Sequence, residues 1–424
     1  MELPTAISFR GFIGRLVLIL AGSGLGFTIT EYGFHLLSLG EQGFYQWDPD
    51  RGWGLRPEAA GWQRREGKAF VHINRDGMRD HEHSHHKPKN TIRIAFIGDS
   101  FTEAEQVDLR DDYVSVVERR LKTCTRQRGI DAETLNFGCD SYGTAQELIT
   151  VNRDVWKFSP DIVVLVFFAG NDIRNNSPEL EWHLCQPFYL LQNDQLVLGG
   201  PFLDSRFFRA KCAIKFESRR SAVLNVLGDA VVRLRSAAKA KAMILEREPS
   251  SAAASSGMAP VSPHELGLAD AIYEAPSNQA WKYAWTVTEK LIIAMNREVT
   301  RHGARFLVVT ATVSAQVHPD RAWRARYEKS LGIKDLLYPD SRIRELGLRA
   351  GFPVLNLAPA FQTYAEQHGI FLHGFANTQP GVGHWNETGH RLAGELIAQR
   401  LCDMLTATGP KPMAARTDLG SSEF

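Results

Sequence analysis

Apolar positions fall into a regular rhythm from residue 91 onward. Short apolar runs rich in β-branched residues, such as 161–168 (DIVVLVFF), alternate with stretches of helical periodicity. This alternation predicts a doubly wound three-layer α/β domain, built on a mostly parallel five-stranded sheet. The strands are predicted at 91–97, 133–137, 161–168, 305–312 and 353–357. The main helices are predicted at 112–121, 145–157, 281–302 and 386–405.

Other segments do not follow this rhythm. Residues 40–90 predict a small β-rich lead-in that packs against the main domain, which covers 91–405. Residues 176–280 form an insert between the third strand and the next main helix. Within the insert, 246–265 is rich in Ser, Ala and Pro and is expected to be disordered. The tail 406–424 is expected to be disordered as well.

The N-terminal segment 1–39 carries an apolar run from Leu16 to Thr30. Arg10 and Arg15 precede the run and Glu31 follows it. Basic residues before an apolar run predict a cytoplasmic N-terminus, so we expect a signal anchor that holds the rest of the protein in the periplasm. The run is shorter than the roughly 20 residues of an ideal membrane span. A cleaved signal peptide and a buried core helix are therefore alternative interpretations.

Composition narrows the range of partners. A formal net charge of +1 gives no basic surplus, so we do not expect a nucleic-acid partner. The five cysteines contain no CxxC pair, which argues against a zinc knuckle, and Cys185–Cys212 is the nearest candidate disulfide within one segment. Four histidines within 81–86 suggest a metal site, but a solvated loop is the favoured interpretation. No metal and no cofactor is predicted.

Chemically useful side chains follow the predicted strands. Ser100 comes directly after the first strand, a loop of small residues (138–144) after the second, and Asn171 after the third. His384 precedes the last helix. Ligands bind beyond the carboxyl ends of parallel strands, so these residues are expected to converge at one edge of the sheet. A serine, a histidine and oxyanion donors form the set that acyl transfer requires.

The motifs GDSF, NFGxxxYG, GND and GHWN occur in this order at 98–101, 136–143, 170–172 and 383–386. They resemble the four blocks of the SGNH (GDSL) hydrolase superfamily. The resemblance implies a flavodoxin-like α/β/α fold and esterase, lipase or carbohydrate O-deacetylase activity without a metal. It also implies that Ser100 is the nucleophile and a backbone oxyanion donor, that Asn171 is a side-chain oxyanion donor and that His384 is the base.

The second block departs from the family pattern. The family glycine whose backbone N–H faces the oxyanion corresponds most naturally to Ser141, with Gly143 as the alternative. A serine keeps the backbone N–H. It is expected to avoid a positive φ, which is costly for a residue with a side chain.

The fourth block also departs from the pattern, because the family aspartate before the histidine is replaced by Gly381 or Val382. A backbone carbonyl or another acid is then needed to orient His384; otherwise the enzyme works with a Ser–His dyad or has lost catalysis. The candidate acids are Glu387, Asp320, Glu328, Asp335 and Asp340.

Three functions fit these observations. The first is a serine esterase or O-deacylase acting on an acyl ester, expected to be acetyl, of an extracytoplasmic glycan or small molecule. The second is a membrane-tethered polysaccharide O-acyltransferase that uses the same site. The third is a non-catalytic glycan-binding scaffold with a decayed site. The expected partners are an ester or acylated glycan and, through the N-terminal helix, the membrane.

Overall fold

The computed structural model describes residues 9–36, 43–218, 220–228, 230–231 and 269–407. The predicted disordered stretch 246–265 lies outside the described residues, and so does the tail from residue 408. Residues 406–407 are the end of the last helix rather than part of an irregular tail.

The elements are numbered in chain order. The strands are β1 (Tyr45–Asp48), β2 (Gly52–Leu55), β3 (Ala60–Gln63), β4 (Ala69–His72), β5 (Thr91–Gly98), β6 (Asp131–Gly138), β7 (Ile162–Phe168), β8 (Phe188–Gln192), β9 (Gln195–Gly199), β10 (Arg305–Ala311) and β11 (Val354–Asn356). The helices are α1 (Phe9–Leu36), α2 (Ser100–Glu103), α3 (Tyr113–Thr125), α4 (Thr144–Arg153), α5 (Asp172–Asn175), α6 (Pro201–Asp204), α7 (Arg206–Ser218), α8 (Gln279–Arg301), α9 (Arg321–Leu331), α10 (Tyr338–Ala350), α11 (Ala358–His368) and α12 (Glu387–Ala407).

The main sheet has five strands in the order β11-β10-β7-β5-β6, and all neighbours pair in parallel. Counted along the chain, this is the order 2-1-3-4-5 of flavodoxin-like folds. Every residue of β7 is buried, as expected for a central strand covered on both faces. The predicted fold class is confirmed, with a sheet that is entirely parallel.

Helices pack in pairs around this sheet. α3 packs against α12, and α4 and α5 pack against α8. Leu121 of α3 and Leu401 of α12 are fully buried in the same core, which their helical spacing predicts. A disulfide between Cys124 and Cys402 joins the ends of α3 and α12. The sequence did not predict this pair, because 278 residues separate the two cysteines.

Two antiparallel hairpins, β1–β2 and β3–β4, lie within the range expected to be β-rich. The insert adds a third hairpin, β8–β9, and the helices α6 and α7. A disulfide between Cys185 and Cys212 ties α7 to the loop before β8, and this is the pair that the sequence suggested.

Over residues 13–34, the N-terminal helix α1 buries no apolar face in the core. Its stretch Ile13–Phe34 has a mean hydropathy of 1.6 and none of it is buried, so the interpretation as a buried core helix is wrong. By length and composition this stretch is able to cross a membrane. Near its end, Glu31 accepts hydrogen bonds from the backbone N–H groups of Ala222 and Val223 at 2.7 and 3.1 Å.

Loss of the Cys124–Cys402 bond is expected to destabilise the main domain. Replacing both cysteines by alanine should lower the free energy of unfolding by about 2–4 kcal/mol, because the unfolded chain loses a long covalent loop. Urea unfolding without reductant measures the difference. With reductant present, the wild type and the variant should unfold at the same urea concentration. Equal midpoints without reductant would show that the bond contributes nothing to stability.

Candidate active site

Ser100 stands at the carboxyl end of strand β5, which lies between β7 and β6, as the first residue of α2. The preceding Asp99 caps this helix through a side-chain hydrogen bond from the Phe101 backbone N–H at 3.0 Å. This turn holds the serine hydroxyl toward the loop before α12, where His384 Nε2 lies 2.8 Å from Ser100 Oγ. A nucleophile and a base are therefore in direct hydrogen-bond contact.

The acid that supports His384 comes from the lead-in. Glu66, in the turn between β3 and β4, places Oε2 at 2.6 Å from His384 Nδ1 and accepts the His384 backbone N–H through Oε1 at 2.7 Å. The expectation that the supporting group is a carbonyl, Glu387 or an acid of 313–345 is wrong. Asp340, for example, accepts hydrogen bonds from Thr310 and Gln316.

Sequence reasoning missed Glu66 because 318 residues separate it from His384. Its only local signal is an acid beside a glycine in the turn between two short strands. Such turns are common, because polar residues and glycine favour turns for conformational reasons alone. Contact between Glu66 and His384 therefore depends on how the lead-in packs against the main domain.

Surrounding residues hold the turn of Glu66 in place. Asn377 accepts the Gly67 N–H at 3.0 Å and donates to the carbonyls of Gly67 and Arg64 at 2.8 and 3.0 Å. Gly383 has φ of 90°, and a Cβ there would lie 2.1 Å from Glu66 Oε1. Glycine is required at 383 both for the backbone conformation and for the close approach of the carboxylate.

The carboxylate and the imidazole stabilise each other's charged form. Burial opposes the imidazolium, but the hydrogen bond and the charge of Glu66 outweigh burial and raise the pKa of His384 to about 8. Burial also opposes the carboxylate, yet the contact with His384 holds the pKa of Glu66 below its usual range. A base with a pKa near neutrality suits general base catalysis.

A second histidine braces the same loop without titrating near neutrality. His373 contacts the Gly383 carbonyl through Nδ1 at 2.7 Å and Thr312 Oγ1 through Nε2 at 2.8 Å. Because a carbonyl only accepts, Nδ1 carries the proton and Nε2 accepts from the hydroxyl. Thr312 in turn accepts from Trp385 Nε1 at 2.8 Å. Burial lowers the pKa of His373 to about 4, so it stays neutral.

Asn171 lies after β7, at the same edge of the sheet. Its Nδ2 donates one hydrogen bond to Asp99 Oδ2 at 2.8 Å, which leaves the second N–H of the amide for another acceptor. Burial raises the pKa of Asp99 to about 6, against the hydrogen bonds from Phe101 and Asn171. Asp99 therefore has a structural role, since its carboxylate fixes both the α2 turn and the amide.

The loop after β6 offers the two donors that the sequence left open. The Gly143 N–H donates to Gln146 Oε1 at 3.3 Å, at the start of α4. Among the residues that the structure describes, the backbone N–H groups of Ser141 and Ser100 have no acceptor. Ser141 is therefore the better placed donor of the pair.

Ser141 adopts the left-handed conformation that the sequence led us to exclude. Its φ is 60°, so the expectation that a serine avoids a positive φ here is wrong. The carbonyl of Ser141 accepts from Asn175 Nδ2 at 3.1 Å, and the Tyr142 N–H bonds the Cys139 carbonyl at 3.2 Å. These bonds fix the turn and offset a conformational cost of about 1–2 kcal/mol.

Other candidates lie away from this edge. His83 of the histidine run is buried and lies 3.1 Å from Asp80, so the run is only partly the solvated loop that was expected. His85 is exposed and pairs with Asp76 at 2.9 Å. Among the described residues, no group of three or more His, Cys, Asp or Glu side chains is arranged to hold a metal.

No protein-family model and no curated protein sequence matches the chain. Among solved structures, similarity is found to an acetyl xylan esterase (14% identity, TM-score 0.36, 73% of this chain and 100% of that chain). A GDSL-like lipase from Bacteroides thetaiotaomicron has 12% identity and a TM-score of 0.29, over 76% of this chain and 93% of that chain. A two-domain esterase active on acetylated mannans has 12% identity and a TM-score of 0.35, over 77% of this chain and 53% of that chain.

The strand order of the sheet and the placement of Ser100, Asn171 and His384 at one edge come from the coordinates of this chain alone. In both respects the molecule has the fold and the arrangement that the resemblance to the SGNH (GDSL) hydrolase superfamily implies.

Proposed function

We propose that the protein is a serine esterase that uses Ser100, His384 and Glu66 as a catalytic triad. One observation carries the proposal: His384 contacts the Ser100 hydroxyl with one ring nitrogen at 2.8 Å and the Glu66 carboxylate with the other at 2.6 Å. Acyl transfer through a serine requires a nucleophile that contacts a base and an acid that orients this base, and the three residues have this arrangement.

The reaction proceeds in two halves. Ser100 Oγ attacks the ester carbonyl while His384 Nε2 takes the hydroxyl proton, and the Glu66 carboxylate stabilises the imidazolium that forms. The imidazolium gives its proton to the leaving alcohol as the C–O bond breaks, which leaves an acyl group on Ser100. Water then repeats the attack with His384 as base, and the acid is released together with the restored serine.

Three donors hold the negative oxygen of the tetrahedral intermediate in this proposal. They are the backbone N–H groups of Ser100 and Ser141 and the second amide N–H of Asn171. Asp99 keeps the Asn171 amide oriented before the substrate arrives. Donors fixed in advance need no reorganisation during the reaction, which is why each donor of this kind is worth about 10²–10³ in turnover.

The substrate we propose is an acyl ester, with acetyl as the acyl group, on an extracytoplasmic glycan or small molecule. The apolar helix α1 and the disulfides Cys124–Cys402 and Cys185–Cys212 support a location outside the cytoplasm, since such bonds persist in oxidising compartments. In this arrangement α1 anchors the protein and the described domain faces the periplasm.

Two other functions use the same fold. An O-acyltransferase would replace the attacking water by a sugar hydroxyl, and product analysis with an acyl donor and an oligosaccharide distinguishes it. A non-catalytic scaffold is disfavoured, because a decayed site has no need to keep Glu66, His384 and Ser100 within hydrogen-bond distance of one another.

Ser100→Ala is expected to abolish the hydrolysis of p-nitrophenyl acetate and covalent labelling by a fluorophosphonate probe. The reason is that no other group in the proposed mechanism attacks the carbonyl. Ser330→Ala, which changes an exposed serine on α9, is the matched control and should retain both. Equal rates for the wild type and Ser100→Ala would refute the assignment.

The pH dependence of kcat/KM reports the contact between Glu66 and His384. Only neutral imidazole accepts the serine proton, so activity should rise with pH through about 8 in the wild type. Glu66→Gln removes the charge that stabilises the imidazolium while burial still opposes it. The pKa of His384 should then fall and the rising limb should move to lower pH. Turnover should drop by up to about 10⁴.

Glu387→Gln is the matched control for this experiment, because Glu387 is the acid nearest to His384 along the chain. Its profile should coincide with that of the wild type. A Glu66→Gln profile that keeps the wild-type pKa, whatever its amplitude, would show that Glu66 has only a structural role.

Ser141→Gly is expected to keep esterase activity, because the proposed oxyanion donor is the backbone N–H and glycine adopts a φ of 60° without strain. Ser141→Val should unfold more easily, since a branched side chain is strongly disfavoured at positive φ. Thermal unfolding and p-nitrophenyl acetate hydrolysis test the pair. If Ser141→Gly were as inactive as Ser100→Ala, the serine hydroxyl rather than the backbone would be the essential group.

A further inference from the structure

A cavity of about 210 Å³ opens beside Ser141, on the side of the site that faces the insert. The lead-in, the loop after β6 and the insert each contribute part of its wall. Pockets that enclose drug-sized ligands have volumes of roughly 300–1,000 Å³, so this cavity suits a small ring rather than a long chain.

A chain of side-chain contacts connects Ser141 to the insert. Asn175 Nδ2 donates to the Ser141 carbonyl at 3.1 Å, and Asn175 Oδ1 accepts from Arg174 Nη2 at 3.2 Å. The Arg174 guanidinium lies over the ring of Trp182, with Cζ 4.5 Å from the ring centroid. These contacts link Trp182 to the proposed oxyanion donor.

Trp182 is an aromatic residue of the insert that is both exposed and part of the cavity wall. Phe188 and Phe202, by contrast, are fully buried. Trp182 itself is 67% exposed. A large aromatic ring that is held by a cation and still accessible offers a flat apolar face to a ligand.

The remaining walls combine aromatic and polar groups. Trp53 and Phe216 stack with their centroids 5.6 Å apart, and Trp53 Nε1 donates to the Asp140 carbonyl at 2.9 Å. The Cys185–Cys212 disulfide cross-links the two stretches of the insert that supply the wall.

The charges that line the cavity balance. Arg174 and Lys215 are cationic, and Asp140 and Glu181 are anionic. The cavity therefore offers both donors and acceptors of hydrogen bonds without a net charge. A sugar ring has matching chemistry, since it carries hydroxyls that both donate and accept and an apolar face of C–H groups.

We propose that this cavity is a subsite for a neutral sugar ring, the unit whose ester group reaches Ser100, with Trp182 as its stacking platform. This inference rests on the proposed function and names its substrate class. It also assigns a role to the insert, which builds the sugar-binding wall next to the oxyanion donors.

The test compares Trp182→Ala with Phe207→Ala. Phe207 is the matched control, since it is an insert aromatic that is 84% exposed and lies outside the cavity. For each protein, kcat/KM is measured with p-nitrophenyl acetate and with chemically acetylated xylo-oligosaccharides and manno-oligosaccharides. Trp182→Ala should lower the ratio of the oligosaccharide value to the p-nitrophenyl acetate value by about tenfold, and Phe207→Ala should leave this ratio unchanged.

Binding to the full-length Ser100→Ala protein separates the subsite from catalysis. Titration calorimetry with the same acetylated oligosaccharides should show binding that is lost when Trp182→Ala is added. If Trp182→Ala changes neither the ratio nor the binding curve, the proposed subsite is overturned, even when the esterase is active. Tighter binding of an acidic oligogalacturonate would overturn the neutral-sugar assignment. An inactive wild type that still binds the oligosaccharides through Trp182 would overturn the proposed function and leave the subsite supported.

Discussion

The contact between Glu66 and His384 is the interaction on which the site depends. Two groups that prefer to be charged meet at 2.6 Å in a largely buried position, and each raises the stability of the other's charged form. Removing one partner of such a pair leaves an uncompensated charge. The lead-in that carries Glu66 is thus part of the site, although the sheet that carries Ser100 is complete without it.

Several features of the fold hold this contact in place. Asn377 ties the Glu66 turn to the loop that leads to His384, and Gly383 leaves room for the carboxylate. His373 holds the same loop from behind and remains neutral, because burial lowers its pKa and its hydrogen-bond partners, a carbonyl and a hydroxyl, include no carboxylate to oppose burial. The pKa values of the two histidines of this loop differ because His384 is hydrogen-bonded to a carboxylate and His373 is not.

The insert and the N-terminal helix form structure outside the catalytic residues. The insert supplies Trp182 and, through the Cys185–Cys212 bond, a rigid wall beside Ser141. Helix α1 exposes its apolar residues and meets the insert where Glu31 accepts the N–H groups of Ala222 and Val223. In the proposed function, the segments that interrupt the α/β rhythm are the ones that adapt a common fold to its substrate and location.

The sequence by itself determined the five strands, the three-layer α/β fold and the convergence of Ser100, Asn171 and His384 at one edge. These follow from local patterns, because apolar periodicity defines the strands and parallel strands end at a common edge.

Only the tertiary structure decided that Glu66 supports His384, that Ser141 adopts a positive φ, that Cys124 meets Cys402 and that Trp182 stays exposed beside the site. Each of these depends on how segments far apart in the chain pack against one another. No local periodicity encodes such a contact, since the residues involved would look the same in the sequence if the lead-in and the insert packed elsewhere.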